Sequence, residues 1–503
     1  TGRGGAGKVT AATVRAGNNR TGSLVRRLMK HPLGSPYVRD QLSLRTLPLN
    51  EKRLQPDGEY VLYWMQSTQR LEDNWALRLA TVEADRIGRP LLIHQGLDPT
   101  YLYASARFHT FIMEGARELA ERAGRLGYTY RFALRHTRDD DRRVLDRLAR
   151  RATIVVTDLF PTAGIAERSQ RFADRVNCRV LAVDSVGVVP SACFYKEEYA
   201  ARTIRPKLAK LLDHSLEAVD DRPPKRALSH SVLASLGVQW LDLASCDIGA
   251  EVARCEIAHE VGAVPIQGGL ATARRHLRDF AANGLHAYAQ RRRNPSDTNG
   301  SSRLSPFLHH GMISPLEVVQ AAREGAPGDQ SDAFLNEMLT WRELSLNFCL
   351  RNPAHGSLTA LPDWVQRSMA THASDTREVT YTLEELEQAA THDPIWNAGQ
   401  RELLETGQMH NVVRMLWGKS VITWAPTYQQ ALDWLLHLNN KYGLDGRDPN
   451  SFAGIQWCFG KFDRPFASRP VWGTIRPMSL ERAYAKYDVA EYLERWGEQG
   501  ILV

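Results

Sequence analysis

Three groups of side chains in the second half of the chain have the types and spacing to do chemistry. In Phe334-Leu-Asn-Glu-Met-Leu-Thr-Trp-Arg-Glu-Leu-Ser-Leu-Asn-Phe348, Glu337 and Trp341 stand four apart, so a helix sets them side by side on one face. A carboxylate beside an indole can hydrogen-bond the edge of a flat heterocycle while the ring stacks on it. The same pair also fits a core tryptophan next to a solvated glutamate. The segment Ser301-Ser-Arg-Leu-Ser-Pro-Phe-Leu-His-His-Gly-Met-Ile-Ser-Pro315 places hydroxyls and an arginine before a helix, where they could receive a pyrophosphate or simply cap the helix. The third group is Trp396, Trp417 and Trp424. The last two are seven apart, two helical turns, so they share a face and could be steps of an electron-hopping path or ordinary core packing. By contrast, the six cysteines are scattered without a CxxC pair or a histidine at zinc spacing, so neither a metal site nor an iron–sulfur cluster is expected.

Two unlike architectures must position these groups. From residue 59, β-branched and aromatic runs at 60–65, 90–95, 129–134, 154–157 and 179–183 alternate with helical patterns such as 111–126 and 141–151. Such alternation predicts an α/β Rossmann-like domain over residues 57–190, with a five-stranded parallel sheet. Its first turn reads Gln66-Ser-Thr-Gln-Arg70 instead of GxGxxG, so no dinucleotide pyrophosphate is expected there. Residues 191–269, including Asp220-Asp-Arg-Pro-Pro-Lys225, read as an interdomain linker. Residues 270–503 then read as an all-α domain, with helical stretches at 270–289, 315–323, 332–350, 383–391, 400–424 and 428–438.

Residues 1–56 read as a flexible basic leader with at most one short helix near 24–29. They hold eleven Lys or Arg against Asp40 and Glu51, so they account for more than the whole net charge of +7. Any nucleic-acid face on the rest of the chain must therefore be a local patch. Gly2-Arg-Gly-Gly-Ala-Gly-Lys8 spells most of a P-loop, but no strand precedes it and Val9 stands where Ser or Thr should bind magnesium. With 43% hydrophobic and 24% charged residues and no long apolar run, a cytoplasmic protein without a membrane span is expected.

Five segments resemble, in order and at family spacing, the class II cyclobutane pyrimidine dimer (CPD) photolyases of the photolyase/cryptochrome family. They are Tyr63-Trp-Met-Gln-Ser-Thr-Gln-Arg70, Ser305-Pro-Phe-Leu-His-His-Gly311, Trp341-Arg-Glu-Leu-Ser-Leu-Asn-Phe348, His392-Asp-Pro-Ile-Trp-Asn-Ala398 and Leu438-Asn-Asn-Lys-Tyr-Gly-Leu-Asp-Gly-Arg-Asp-Pro-Asn450. The resemblance runs from about residue 59 to the end. It implies a lyase acting on UV-damaged DNA as a monomer, with FAD active in its reduced anionic form (FADH−) and an α/β domain able to hold a deazaflavin or folate antenna. It also implies that Tyr288, Ser301, Ser302, Leu304 and Ser305 line the phosphate and ribityl side of FAD, with Arg342 as a cationic partner. Arg414 and Asp445 would pair beside the isoalloxazine and Asn439 would face its N5. Trp417, Trp396 and Trp424 would be the proximal, middle and surface members of an electron-transfer triad. Glu337 would bind the dimer carbonyls, Trp341 and Trp457 would wall the lesion pocket beside Met415, and Arg464, Arg469 and Arg476 would contact DNA phosphates.

Three positions depart from the family pattern. Val412 and Leu416 stand where aromatic residues are usual, and losing the first would remove a pocket wall. His310 stands where Phe is expected; its imidazole could be a proton donor near the flavin, as in the (6-4) photoproduct branch, or a surface or capping histidine. The alternatives to CPD repair are thus (6-4) repair and a cryptochrome-like blue-light sensor.

Overall fold

The computed structural model describes residues 40–217, 219–325 and 328–497. The P-loop-like segment and the expected helix near 24–29 lie outside the described residues. In the first domain the strand runs YVLYWM and ATIVVTD are buried along their whole length, the signature of strands covered on both faces by helices. Helix α1 (Gln41–Arg45) leads into β1 (Thr46–Pro48), followed by β2 (Tyr60–Met65), α2 (Trp75–Ile87), β3 (Leu91–Leu97), α3 (Ala106–Arg125), β4 (Tyr130–Leu134), α4 (Val144–Arg151), β5 (Ala152–Asp158), α5 (Ile165–Arg175) and β6 (Arg179–Val183). The sheet order is β1-β6-β5-β2-β3-β4.

The five expected strands are present and mutually parallel, but the sheet has six. Strand β1 pairs antiparallel with β6 at the edge, Leu47 opposite Ala182. Residues 40–56 are therefore part of this domain and not of a leader. Leu44, Leu47 and Leu49 are buried and Leu42 and Leu54 partly so, and Asp40 caps α1 by accepting the Ser43 N–H at 3.0 Å. A three-residue edge strand leaves no periodic signal.

The turn after β2 explains the missing glycine fingerprint. Asp158, at the end of β5, accepts the backbone N–H groups of Gln66, Ser67 and Thr68 at 2.7, 2.8 and 3.2 Å, and the Tyr63 hydroxyl at 2.8 Å. An internal carboxylate thus takes the donors that a phosphate takes at the switch point of a dinucleotide-binding sheet.

Residues 191–269 are more structured than a linker. They contain α6 (Ala201–Ser215), α7 (His230–Ser235) and α8 (Ile248–Ala253), because Ile204, Leu208 and Leu211 give α6 a buried face. The helical domain follows with α9 (Leu270–Asn283), α10 (Tyr288–Arg291), α11 (Ser305–His309), α12 (Pro315–Gly325), α13 (Gly328–Leu335), a π-helical turn (Asn336–Trp341), α14 (Arg342–Arg351), α15 (Asp363–Thr371), α16 (Leu383–Glu387), α17 (Pro394–Thr406), α18 (Asn411–Trp424), α19 (Tyr428–Tyr442), α20 (Pro449–Cys458), α21 (Leu480–Lys486) and α22 (Ala490–Trp496). The stretch expected as one helix over 400–424 is broken at Gly407, which adopts φ 69°. A Cβ there would also meet Leu444 Cγ at 2.8 Å.

The domains meet along residues 184–191. Arg45 donates to the carbonyls of Asp184, Gly187 and Val188 at 3.2, 2.8 and 2.6 Å. Arg70 donates to Ser185 at 2.7 Å, Arg342 to Val186 at 2.8 Å and Arg351 to Ser191 at 3.1 Å. All four arginines are buried. From α14, Glu343 accepts the Val188 N–H at 2.8 Å.

This seam makes stability depend on pH. Burial pushes the Glu343 carboxyl up to about 7, against the pull of Arg342 and the Val188 N–H. An unfolded glutamate ionises near about 4.3, so the folded chain holds a proton that the unfolded chain has released between those values. The associated stability is complete below about pH 4 and is lost as pH rises through about 7. Glu343→Gln, which keeps the acceptor, is expected to flatten the fall in urea midpoint across that interval. An unchanged slope would show that another group carries it.

Candidate active site

A cavity of about 700 Å³ opens within the helical domain. Tyr288, Ser301, Ser302, Leu304 and Ser305 form one wall. Tyr288 is fixed edge-on against Phe280 and Phe334, at 5.7 and 5.3 Å between ring centroids. Helix α11 has Leu304 at its N-cap and no side-chain cap, so the serines do not serve as helix caps. Among the described residues, the hydroxyls of Ser301, Ser302 and Ser305 make no hydrogen bond, and all three face the cavity. Arg303 also lines this wall, with its backbone at φ 51°. Unpartnered hydroxyls and a guanidinium suit an anionic ligand group.

Helices α18 and α19 and the loop after α19 form the opposite wall. Arg414 reaches Asp445 through both ends of its fork, at 3.2 and 3.0 Å. Asn439 is buried and lines the cavity; its amide donates to Asn440 Oδ1 at 3.1 Å. Lys419 is also buried here and donates to the Arg476 carbonyl at 2.8 Å. Burial lowers its ammonium to about 8.

The third wall carries Glu337 and Trp341 on the π-helical turn, where an inserted residue re-aims side chains relative to a regular helix. Trp341 stacks on Trp457 of α20, with centroids 5.5 Å apart and planes at 24°. The Glu337 carboxylate is held by Arg292 Nη1. Met415 and Val412, on α18, also line the cavity, and Val412 packs in a cluster with Ile395, Leu416 and Val489.

Trp417 lines the cavity and begins a chain of indoles. Trp396 stacks on it at 6.2 Å and 12°, and Trp424 meets Trp396 edge-on at 5.6 Å. Trp396, on α17, therefore bridges the two tryptophans that share a face of α18. Trp417 donates its indole N–H to Gln400 Oε1, and Trp396 to the Trp417 carbonyl, each at 3.1 Å. Trp424 is not a surface residue: it is only 7% exposed. It is covered by Tyr381 at 5.2 Å and by the exposed His392 at 5.4 Å. The Tyr381 hydroxyl lies 2.5 Å from His392 Nδ1.

The structure places the remaining site candidates as follows. Arg476 lines the cavity, and Arg464 and Arg469 lie outside its lining. Arg464 and Arg476 instead flank the Phe466 ring at 5.8 and 5.9 Å, and Arg469 forms a backbone bridge with Gly473. Arg342 lines the cavity but spends a donor on the Val186 carbonyl. His310 is the C-cap residue of α11, and its ring packs between Phe111 and His309 at 5.3 and 4.6 Å, outside the cavity lining. Burial and the neighbouring His309 and Arg447 hold its imidazole well below its usual value. Sequence reasoning missed Arg292, Gln400 and Tyr381. Arg292 sits in the basic run Arg291–Arg293, and Tyr381 precedes the capping box of α16, signals that point to local structure and not to the cavity.

Comparison with known proteins gives the family. A family model described as DNA photolyase matches residues 61–226. A deoxyribodipyrimidine photo-lyase of Methanothermobacter thermautotrophicus is 35% identical over 445 residues, covering 88% of this chain and 96% of that relative. The chain belongs to the DNA photolyase family. A second photolyase, from Arabidopsis thaliana, is 35% identical, with 86% of this chain and 88% of the relative covered. The photolyase fold is seen again in a bacterial class III photolyase from Agrobacterium tumefaciens, with a TM-score of 0.63 at 20% identity, covering 87% of this chain and 86% of that one. Among the described residues, no group of His, Cys, Asp and Glu could hold a metal, and no helix is long and apolar enough to cross a membrane.

The Arg414–Asp445 pair gives the photolyase cavity a measurable keystone. The Asp445 side chain is 9% exposed, so Arg414→Ala leaves it unpaired, at an expected cost of about 3 kcal/mol. Arg414→Lys keeps the charge but not the two-pronged geometry and should fall between. Urea midpoints of the flavin-free proteins measure both; equal midpoints for Ala and wild type would show the pair contributes nothing.

Proposed function

We propose that this photolyase is of class II and binds FAD in the cavity, splitting cyclobutane pyrimidine dimers in UV-damaged DNA under light. One observation carries the reading: Trp417 is at once a wall of the cavity and the inner end of a contiguous chain of three tryptophans, facing a cavity that also holds the Trp341–Trp457 stack. The donor set suits FAD. Ser301, Ser302, Arg303 and Ser305 offer free donors to a pyrophosphate, while Arg414, Asp445 and Asn439 offer both donors and acceptors to the edge of a flavin ring. Reduced FAD, when bound and excited by light, supplies the electron that opens the cyclobutane ring.

The protein's own groups do the rest. A dimer inside a duplex has to leave the base stack to enter the cavity, at a cost of a few kcal/mol that a damaged pair lowers. Trp341 and Trp457 replace the lost stacking with an aromatic wall. Glu337, oriented by Arg292, can accept from the pyrimidine N–H or, when protonated, donate to a carbonyl. Trp424, Trp396 and Trp417 would form the path by which electrons from an external reductant reach the cavity, with Tyr381 and His392 as its outer contacts. The position of His310, away from the cavity lining, supports dimer repair over the (6-4) alternative.

Illumination of the reduced protein with DNA carrying either defined CPDs or (6-4) products is the direct test. Loss of the CPD alone is expected; if neither lesion is lost despite bound, reduced FAD, the repair reading fails. Trp417→Phe should abolish photoreduction of oxidised flavin while chemically reduced enzyme still repairs. Photoreduction at the wild-type rate would remove the tryptophans from the path.

A further inference from the structure

With the basic excess concentrated in residues 1–56, the remainder of the chain has slightly more acidic than basic residues. Against that background residues 195–210 form a concentrated positive surface. Lys196, Arg202, Arg205 and Lys210 are exposed, and so are two large aromatic residues, Tyr195 and Tyr199, at 58% and 59%. The Arg202 guanidinium lies 5.3 Å over the Tyr199 ring, and Lys196 Nζ lies 5.8 Å from the Tyr195 ring. The acidic residues nearby are already engaged. Glu197 pairs with Lys461 at 2.6 Å, the buried Glu198 with Lys207, and Asp213 with Arg323 at 3.1 Å. Among the described residues, Lys196, Arg202 and Lys210 have no carboxylate partner, and Arg205 contacts only the neutral amide of Asn336, at 3.0 Å.

The position of this surface indicates its ligand. Its buried side, Phe194, Ile204 and Leu208, packs in one cluster with Trp341 and Phe462, both of which line the cavity. Asn336, which Arg205 holds, is the residue before Glu337. The cations therefore stand on the outer side of the wall that carries the lesion-binding candidates. From Arg202 to Lys210 is about 12 Å along a helix axis, the rise of three to four base steps at about 3.4 Å each.

Resting on the DNA-repair reading above, we propose that the α6 strap and its preceding loop form a second DNA contact, which grips the phosphate backbone of the duplex arm beside the flipped-out lesion. Lys196, Arg202 and Lys210 neutralise phosphates without reading sequence. Tyr195 and Tyr199 hold two of those cations in place by lying under them. The strap thus contributes to holding a duplex and nothing to the chemistry in the cavity.

The test compares wild type with Lys196→Ala/Arg202→Ala/Lys210→Ala on two substrates, a CPD in a duplex longer than two helical turns and a CPD in a trinucleotide. For the duplex, the slope of log affinity against log salt should become shallower by roughly 2 to 3, as expected for three lost phosphate contacts. Repair of the trinucleotide should be unchanged. A charge-preserving variant, Lys196→Arg/Arg202→Lys/Lys210→Arg, should keep the wild-type slope. The proposal is overturned if the alanine variant keeps the wild-type slope, or if it loses trinucleotide repair equally. It is also overturned if the charge-preserving variant loses the slope. Failure of wild type to repair the trinucleotide would instead strike the repair reading itself.

Discussion

Five carbonyl groups, those of Asp184, Ser185, Val186, Gly187 and Val188, pass through the protein interior on a segment outside strand and helix, and three buried arginines satisfy them; a fourth, Arg351, adds a second donor to the Ser191 carbonyl, which already accepts the Phe194 N–H. Left unbonded, each such group would cost about 1–3 kcal/mol. Arginine suits the task because its rigid fork carries five donors and stays charged when buried. The four come from different places: α1, the turn after β2, and the two ends of α14. One short segment therefore joins the first helix, the sheet and the helical domain. Asp184 adds internal bracing by accepting the N–H groups of Val186, Gly187 and Ser191. A similar device acts elsewhere, where Arg107 of α3 donates to the carbonyls of Leu403 and Tyr442 at 3.1 and 2.6 Å.

The cavity depends on this seam through α14. Its first residue, Arg342, touches both the seam and the cavity, and the π-helical turn that carries Glu337 and Trp341 runs directly into it. A shift of the seam would move the cavity wall with it. The opposite wall meets the seam through α20, which packs on both α14 and α18. Helix α18 carries Arg414, Met415 and Trp417 and packs against α17, α19 and α20 within one hydrophobic cluster. The site thus lies between one wall anchored to the α/β domain and another anchored in the helical core.

What the sequence revealed follows from how local each signal is. The parallel strands were legible because continuous β-branched and aromatic runs need two covering layers. Edge strand β1 was not, since three residues paired on one side carry no period. The break at Gly407 was missed because apolar spacing continues across it, whereas the constraint is a left-handed backbone pressed against Leu444. The order Trp417, Trp396, Trp424 came from family resemblance, and spacing alone would have joined the wrong pair. Arg292, Gln400 and Tyr381 reach their partners across 45, 17 and 43 residues respectively, distances over which no sequence period operates. The packing of the His310 ring was beyond the sequence for the same reason: Phe111, which packs on it, belongs to the other domain.

Asp158 carries one more consequence. A site filled by the protein's own carboxylate is occupied at an effective concentration that no free nucleotide in a cell can match. The turn after β2 is therefore closed to competition from the pool of phosphorylated metabolites, however much its surroundings resemble their usual berth. A chain built on this sheet keeps the rigidity of a nucleotide-binding fold while that one turn is filled from within.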